Sequence, residues 1–526
     1  MPSFSEAVEF AVLAIDTAGV IVIVLGVVDR YSAAASLRPP AGGPVPPVPP
    51  ESGPRNPGPH PLPSGDAMPL RYDAIVIGTG QAGPSLAARL AKDGHSIAVL
   101  ERSRFGGTCV NTGCVPTKTL VASARAMHMA RRGDEFGFTT GGDVRVDMAR
   151  VMARKDAVVR QSNEGVERWM KTTSNVTVYE GHGRFTGPRT VEVNDAMLEA
   201  DRIFINVGAR AVVPDMPGVR DVPFLTNTGI LELDVVPEHL VVIGGSYIGL
   251  EFAQMFRRFG SRVTVVEKGP RLIAREDEDV SETLQDVLEA EGVAFRLNAT
   301  CIGLRRTPPG VGVGVDCTQG APVIDGTHVL LAVGRRPNTD DLGLAAAGIA
   351  TDARGHITVD EQCRTNVAGV WALGECNGRG AFTHTSYNDF EIVAGNLLDD
   401  DSRQLSDRIP CYALYTDPPV GRVGMTTHEA RASGRRVLVG HRPMTKVSRA
   451  REMSETHGFM RALVDADSHE ILGAVIFGAG GDEVVHSVLD VMYAKAPYTT
   501  ISRAVHIHPT ISELIPTMLQ DLRPLD

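Results

Sequence analysis

The sequence predicts an α/β protein with two Rossmann-like dinucleotide-binding units. Three observations predict it. A strand, a glycine turn, a helix and a second strand ending in an acid run through "YDAIVIGTGQAGPSLAARLAKDGHSIAVLER", Tyr72–Arg102. The same order recurs in "HLVVIGGSYIGLEFAQMFRRFGSRVTVVEKG", His239–Gly269. A further apolar strand, in "TNVAGVWALGECNG", Thr365–Gly378, runs into Gly374-Glu375 and returns the chain to its first unit, so the second unit is expected as an insertion.

In the first unit the strand Asp73–Ile77 leads into the turn. Gly78 allows a tight bend, Gly80 lets a pyrophosphate approach the backbone, and Gly83 lets helix and strand pack closely. Leu86 and Leu90 lie on the apolar side of the helix. The strand Ile97–Leu100 ends at Glu101, which can accept a ribose hydroxyl, while the helix N-terminus attracts phosphates. In the second unit the strand Leu240–Ile243 leads into Gly244, Ser246 and Gly249, and Glu267 ends the next strand. Ser246 stands at the middle glycine position and leaves less room. Glu267 favours a free ribose 2′-hydroxyl and repels a 2′-phosphate, so NADH is expected before NADPH. Arg271 and Arg275 are the nearby features NADPH would use. Two such sites in one chain point to a tightly held cofactor and a diffusing one.

A chain of 526 residues carries two to four domains. Its net charge of −11 with no basic block excludes nucleic acid as the main partner. Seven scattered cysteines make no disulfide scaffold and read as cytoplasmic. Residues 1–67 differ from the rest. Phe10–Val28 is apolar except for Asp16 and Thr17 and is long enough to cross a bilayer, yet Glu6 and Glu9 replace the positive start of a secretory signal. Arg38–Asp66 holds twelve prolines and is expected as an extended spacer. Three readings stand: a membrane anchor on a stalk, a buried helix, or an extension upstream of a start at Met68.

"GGTCVNTGCVPTK", Gly106–Lys118, places two cysteines around "VNTG". Pro116 favours the first turn of a helix, in which Leu120, Ala124 and Met127 share a side. Cys114 then sits at a helix N-terminus, where the dipole favours thiolate, and Lys118 lies on its face. Residues five apart in a regular helix are too distant for a disulfide, so Cys109 is expected in a distorted turn that Gly113 permits. Zinc would need two further ligands, and a structural staple is no better suited to a reducing compartment. A redox pair beside a flavin explains the placement best.

These motifs resemble the class I pyridine nucleotide–disulfide oxidoreductases, the family of dihydrolipoamide dehydrogenase, glutathione reductase and mercuric reductase. "AVGRRPNTDDLGL" (Ala332–Leu344) and "VWALGECNGRGAFTHTSYNDFEIVAGNLL" (Val370–Leu398) resemble its link and second flavin segments. "YTDPPVGRVGMT" (Tyr415–Thr426) is similar to the start of its dimerisation domain, and "HIHPTISELIPTM" (His506–Met518) to its C-terminal active-site segment. "IFINVGARAVVPDMPG" (Ile203–Gly218), "GFMRALVD" (Gly458–Asp465) and the spacing around "DPPVGRVGMT" are similar to mercuric-reductase-like and reactive-chlorine-resistance members. The resemblance implies FAD in the first unit, NADH or NADPH in the second, and a C-terminal α+β dimerisation domain. It divides the chain into an FAD-binding domain at 68–222 and 339–404, an NAD(P)H-binding domain at 223–338 and a dimerisation domain at 405–526.

Roles follow from the same resemblance. Cys114 would be the flavin-facing thiolate and Cys109 the interchange thiol that meets the acceptor. Lys118 would approach flavin N5, paired with Glu251, and Tyr247 would gate the nicotinamide pocket. Thr108, Gly334, Gly374 and Glu375 would line the cofactors, with Glu375 where the family has aspartate. His508, just before a helix expected to begin at Pro509, and Glu513, one turn into that helix, would form an acid–base pair that completes the active site of a partner chain, which implies a homodimer. A capping histidine and a surface glutamate is the plainer alternative. His506 and His508 alone make a poor metal site, and no resident metal is expected. Mercuric reductases end in a vicinal cysteine pair, whereas this chain ends "MLQDLRPLD". The expected activity passes electrons from NAD(P)H through flavin and the Cys109–Cys114 disulfide to an acceptor, first a disulfide compound, with a mercuric or cupric ion as alternative. A non-catalytic redox sensor is the alternative of another class.

Overall fold

The strand Leu70–Ile77 sits mid-sheet, and its last four residues are buried, as parallel strands covered by helices must be. It pairs in parallel with Ile97–Glu101 on one side and Ala196–Ile205 on the other. Val176–Glu180 extends one edge, and the hairpin Arg184–Gly187 and Thr190–Val193 extends the other. Val370–Ala372 also joins Ala196–Ile205 in parallel. This computed structural model describes residues 68–308, 310–316 and 320–525. The apolar stretch at 10–28, the proline-rich spacer and the residues upstream of Met68 lie outside the described residues.

Between Ile205 and Val370 the chain builds a second parallel sheet. Its strands run in the order Val293–Arg296, Arg262–Val266, His239–Ile243 and His328–Leu331. A three-stranded antiparallel sheet, Thr300–Thr307, Gly310–Asp316 and Val323–Gly326, lies beside it in sequence. The outgoing segment Ala209–Ala211 and the returning segment Arg335–Pro337 pair antiparallel. Both glycine turns therefore stand at the carboxyl ends of parallel strands, where open α/β sheets bind ligands.

One apolar core joins the parts. Leu120 and Ala124 of the helix Cys114–Arg131 meet Leu250, Ala253 and Phe256 of the helix Tyr247–Phe259, together with Leu414, Val420 and Phe477 of the C-terminal sheet. That sheet has six antiparallel strands. Two of them, Phe459–Asp465 and Ile471–Phe477, are buried along their whole length. Their residues alternate between cores, as strand geometry requires: Phe459, Val475 and Phe477 face the joined core. Met460, Ala462 and Ile476 pack with Ile515 and Met518 of the helix Leu514–Gln520. No helix begins at Pro509, contrary to the sequence expectation. The Thr510 hydroxyl accepts the Glu513 N–H at 3.2 Å and donates to the Ile507 carbonyl at 2.8 Å. A side chain thus takes the bonds a first helical turn would make, and Glu513 stands just before the helix.

Buried charge ties the second sheet's region to the C-terminal sheet. Arg422, 1% exposed, donates to Glu276 Oε2 at 3.1 and 2.5 Å and to Asp277 Oδ2 at 2.9 Å. Arg461 adds a 2.6 Å bond to Asp277 and an ion pair with Asp279. Burial works to raise the Asp277 pKa, but the two guanidiniums outweigh it and hold the carboxyl below its ordinary value. Its contribution is therefore present above the ordinary carboxylate range and lost as pH falls through the depressed value. Arg422→Met would leave two buried carboxylates short of a partner. Urea denaturation at neutral pH should show a loss of about 3–5 kcal/mol, and a midpoint equal to wild type would contradict this account of the interface.

Candidate active site

The redox segment is two helices with a break between them. Gly107–Asn111 forms a short helix carrying Cys109, and a new helix starts at Cys114. The Asn111 amide donates to the carbonyls of Phe105 (2.8 Å) and Gly107 (2.9 Å). Asn227, from the second unit's side, donates to the Thr112 carbonyl at 2.8 Å. A Cβ at Gly113 would stand 2.9 Å from the Thr108 carbonyl oxygen, so the break needs glycine. The break brings the two cysteines together as free thiols close enough to shift each other's acidity.

Their acidities diverge. The hydrogen bond from Cys109 lowers the Cys114 pKa to about 6; burial opposes it, and Thr383 and Lys118 assist. The same bond, then burial, pushes Cys109 far up. Cys114 is thus the more acidic thiol of the two, and Cys109 the one that holds its proton more tightly. Thr383, which the sequence reading missed, places its hydroxyl 3.2 Å from Cys114 Sγ, and it donates when that sulfur is charged. It is the first residue of the helix Thr383–Leu398, so two helix N-termini meet at one sulfur, each favouring negative charge. The only sequence signal was its position in "GAFTHTSYND". Lys118 Nζ is 2.7 Å from Glu251 Oε2 and 4.5 Å from the Tyr415 ring centre. Glu251, 6% exposed, also accepts the Tyr415 N–H at 3.0 Å.

The first glycine turn is a cradle no side chain could share. Gly78 has φ +101°, and a Cβ there would strike the Asn206 carbonyl; one at Gly83 would strike the Gly78 carbonyl. Asn206, also missed, accepts the Gly83 N–H at 3.0 Å and donates to the Leu373 carbonyl at 2.9 Å. A Cβ at Gly107 would lie 3.0 Å from Gly80 Cα, so the phosphate turn and the redox segment touch. Glu101 accepts from Thr79 N at 3.0 Å and Ser103 N at 2.8 Å. These residues fit a dinucleotide. In the second unit Gly244 has φ +117°, and a Cβ at Gly249 would strike the Gly244 carbonyl. Glu267 accepts from Gly245 N at 2.7 Å and Gly269 N at 2.8 Å. Ser246 is exposed at the helix start and caps no N–H. Arg271 is occupied by the carbonyls of Ala274 and Glu276, at 3.2 and 3.4 Å.

The second flavin-like segment carries its own supports. The Gly374 N–H donates to Asp389 at 2.7 Å, and Asp389 is ion-paired with Arg408. Glu375 is not a free acid: its Oε1 accepts from Arg335 Nε at 2.7 Å, and Arg335 also donates to the Ala209 carbonyl. Gly334, beside it, has φ +126°. Thr108 lies on the short helix beside Cys109.

His508 and Glu513 are together, Nδ1 to Oε2 at 2.8 Å. The imidazole is 74% exposed and the carboxylate 14%. Val505 and Ile507 next to it are 100% and 80% exposed. No described hydrogen bond links the pair to Cys109 or Cys114 of the same chain. Among the described residues no group of three or more His, Cys, Asp or Glu could hold a metal ion.

A dithiol with one stabilised thiolate, between two dinucleotide turns, defines a flavoprotein disulfide reductase. Residues 72–389 match the family model of the pyridine nucleotide-disulphide oxidoreductases, and residues 411–519 match that family's dimerisation domain. The chain belongs to this family, is an enzyme of the NAD(P)H:disulfide oxidoreductase class, and uses FAD and NAD(P)H. It is 36% identical over 452 residues to the probable pyridine nucleotide-disulfide oxidoreductase RclA of Escherichia coli, covering 84% of this chain and 97% of that one. It is 34% identical over 466 residues to dihydrolipoyl dehydrogenase of Cupriavidus necator, covering 85% and 97%. The solved Cu(II) complex of the HOCl-induced flavoprotein disulfide reductase RclA from Escherichia coli superposes with a TM-score of 0.78 at 34% identity, over 86% of this chain and 99% of that one. No helix among the described residues is long and apolar enough to cross a membrane.

The Cys114 assignment is measurable by spectroscopy. In the two-electron-reduced holoenzyme, long-wavelength absorbance from a thiolate against flavin should hold above pH about 6 and fade below it. Thr383→Val removes a donor to the charged form and should move that midpoint upward, with Thr383→Ser close to wild type. A Thr383→Val midpoint unchanged or lower would show that the hydroxyl does not support the thiolate.

Proposed function

We propose that the acceptor of this oxidoreductase is a disulfide compound, reduced at Cys109 with His508 of a second copy of the chain as acid. The observation that carries this is the His508–Glu513 pair. A half-buried carboxylate orients an imidazole that faces solvent, flanked by exposed apolar residues, on a dimerisation domain. That arrangement suits a homodimer whose active sites are shared between chains.

FAD held at the first glycine turn, with Gly374 and Glu375, would supply the two-electron relay between the nicotinamide and the Cys109–Cys114 pair. The residues do the rest. Glu251 holds Lys118 in place, and Tyr247 covers the nicotinamide pocket. His508 takes the Cys109 proton as that sulfur attacks one sulfur of the acceptor, and returns it to the departing thiolate. Cys114, as thiolate, then attacks the mixed disulfide at Cys109, which restores the Cys109–Cys114 disulfide and frees the second sulfur as a thiolate that takes its proton from solvent. Residues 68–222 and 339–404 would carry FAD, 223–338 the nicotinamide dinucleotide, and 405–526 the dimer contact. The sparse cysteines, with no structural disulfide among the described residues, support a reducing, cytoplasmic setting.

The test is NADH oxidation by the purified holoenzyme against lipoamide, glutathione disulfide, Hg(II), Cu(II) and a quinone. A disulfide should be turned over, and His508→Ala should slow it by about 10²–10⁴-fold while flavin reduction by NADH changes little. A wild type that reduces metals but no disulfide, with His508→Ala silent, would replace this reading with metal reduction. Fast flavin reduction with no acceptor turned over would favour a sensor instead. NADH should also show a higher kcat/KM than NADPH, because the Glu267 carboxylate stands where a 2′-phosphate would sit. The reverse preference would mean that Arg275 or Lys268, both exposed, recruits the phosphate.

A further inference from the structure

Tyr247, the first residue of its helix, is enclosed by aromatic rings from two other parts of the chain. Phe382 lies 6.3 Å away and Tyr412 5.7 Å away, both tilted by just over 40°. Phe382 and Tyr412 stack on each other at 5.6 Å and 12°. His384 covers the far face of the stack, 5.4 Å from Phe382 at 8°.

Both ends of the stack are fastened. His384 Nε2 lies 2.7 Å from the Cys411 carbonyl. A carbonyl only accepts, so that nitrogen carries the proton. The Tyr412 hydroxyl donates to Glu276 Oε1 at 2.7 Å, and the other oxygen of that carboxylate is held by the buried Arg422. Phe382 directly precedes Thr383, the hydroxyl partner of Cys114. The rings therefore bridge the nicotinamide-binding unit, the second flavin segment and the C-terminal sheet.

We propose that Tyr412 is a positioning residue for Tyr247: held by Glu276 and Arg422, it keeps Tyr247 in its covering position and so sets how strongly the nicotinamide ring must compete to enter. This rests on Tyr247 covering the nicotinamide pocket. A ring that must be displaced reduces the apparent affinity of the incoming ligand by the fraction of molecules already open. Offset and tilted ring pairs are attractive, so the stack biases the closed state. A polar anchor at Tyr412 keeps the stack from moving with Tyr247 when it opens.

The test compares wild type, Tyr412→Leu, Tyr412→Phe and Tyr247→Ala as FAD-loaded enzymes. Stopped flow reads the apparent Kd for NADH and the limiting rate of flavin reduction. Titration with ADP-ribose, which lacks the nicotinamide, reads the adenine end alone. Tyr412→Leu should tighten the apparent NADH Kd by about 3–10-fold, the tax of a mostly closed gate removed. Its effect on the limiting rate should be smaller, and ADP-ribose affinity should stay as in wild type. Tyr412→Phe keeps the ring and loses the anchor, so it should fall between. Equal shifts for NADH and ADP-ribose would reduce Tyr412 to general scaffolding and overturn the proposal. A Tyr247→Ala effect with no Tyr412 effect would also overturn it while leaving the gate itself standing. If Tyr247→Ala changes neither NADH affinity nor flavin reduction, the gate reading fails and this proposal with it.

Discussion

The meeting of Cys109 and Cys114 depends on a helix that stops and restarts within two residues. A continuous helix would carry five-apart side chains away from each other. Here the chain is broken at Thr112–Gly113, where the Gly113 Cα has no room for a Cβ and Asn111 and Asn227 tie down the flanking carbonyls. Everything chemical at the site follows from that break. It puts the sulfurs together, makes Cys114 the first residue of a helix, and sets the acidities of the two thiols apart.

The break is itself held from outside. Asn227 belongs to the segment leading into the second sheet, and Thr383 to the segment after the return to the first. The long helix after Cys114 is packed against the helix after Ser246 and against strands of the C-terminal sheet. Lys118 and Glu251 pair across those two helices, and the same carboxylate receives a backbone N–H from Tyr415. The charge beside the sulfur is thus shared among distant parts of the chain, and the buried Arg422 and Arg461 networks keep those parts from shifting. Buried ion pairs add little net stability compared with apolar packing but are costly to break singly. Their use here is to fix one arrangement of the joined regions.

Much of the fold was legible locally. Glycine spacing, strand patterning and the terminal acids identify both dinucleotide turns because each glycine answers to a contact within a few residues of itself or to the adjoining strand. Gly83 against Gly78, and Gly249 against Gly244, are such cases. Pro116 and the apolar positions Leu120 and Ala124 likewise mark the redox helix from nearby signals. The C-terminal segment was misread for an equally local reason. Pro509 looks like a helix start, but the Thr510 hydroxyl occupies the bonds of the first turn and delays the helix to Leu514.

By itself the sequence determined the class of chemistry: two nucleotide turns, a close cysteine pair with a lysine one turn on, and an imidazole with an acid five residues away. Those features need only residue type and short spacing. The tertiary structure alone decided which groups complete them. Asn206, Thr383 and the rings around Tyr247 are brought in from sequence separations of more than a hundred residues, and Arg335 reaches Glu375 from forty residues away. A lone Asn, Thr or Phe carries no pattern that announces such a contact. Its role arises only when sheet register and helix packing place a donor, an acceptor or a ring face at the distance where that group can act.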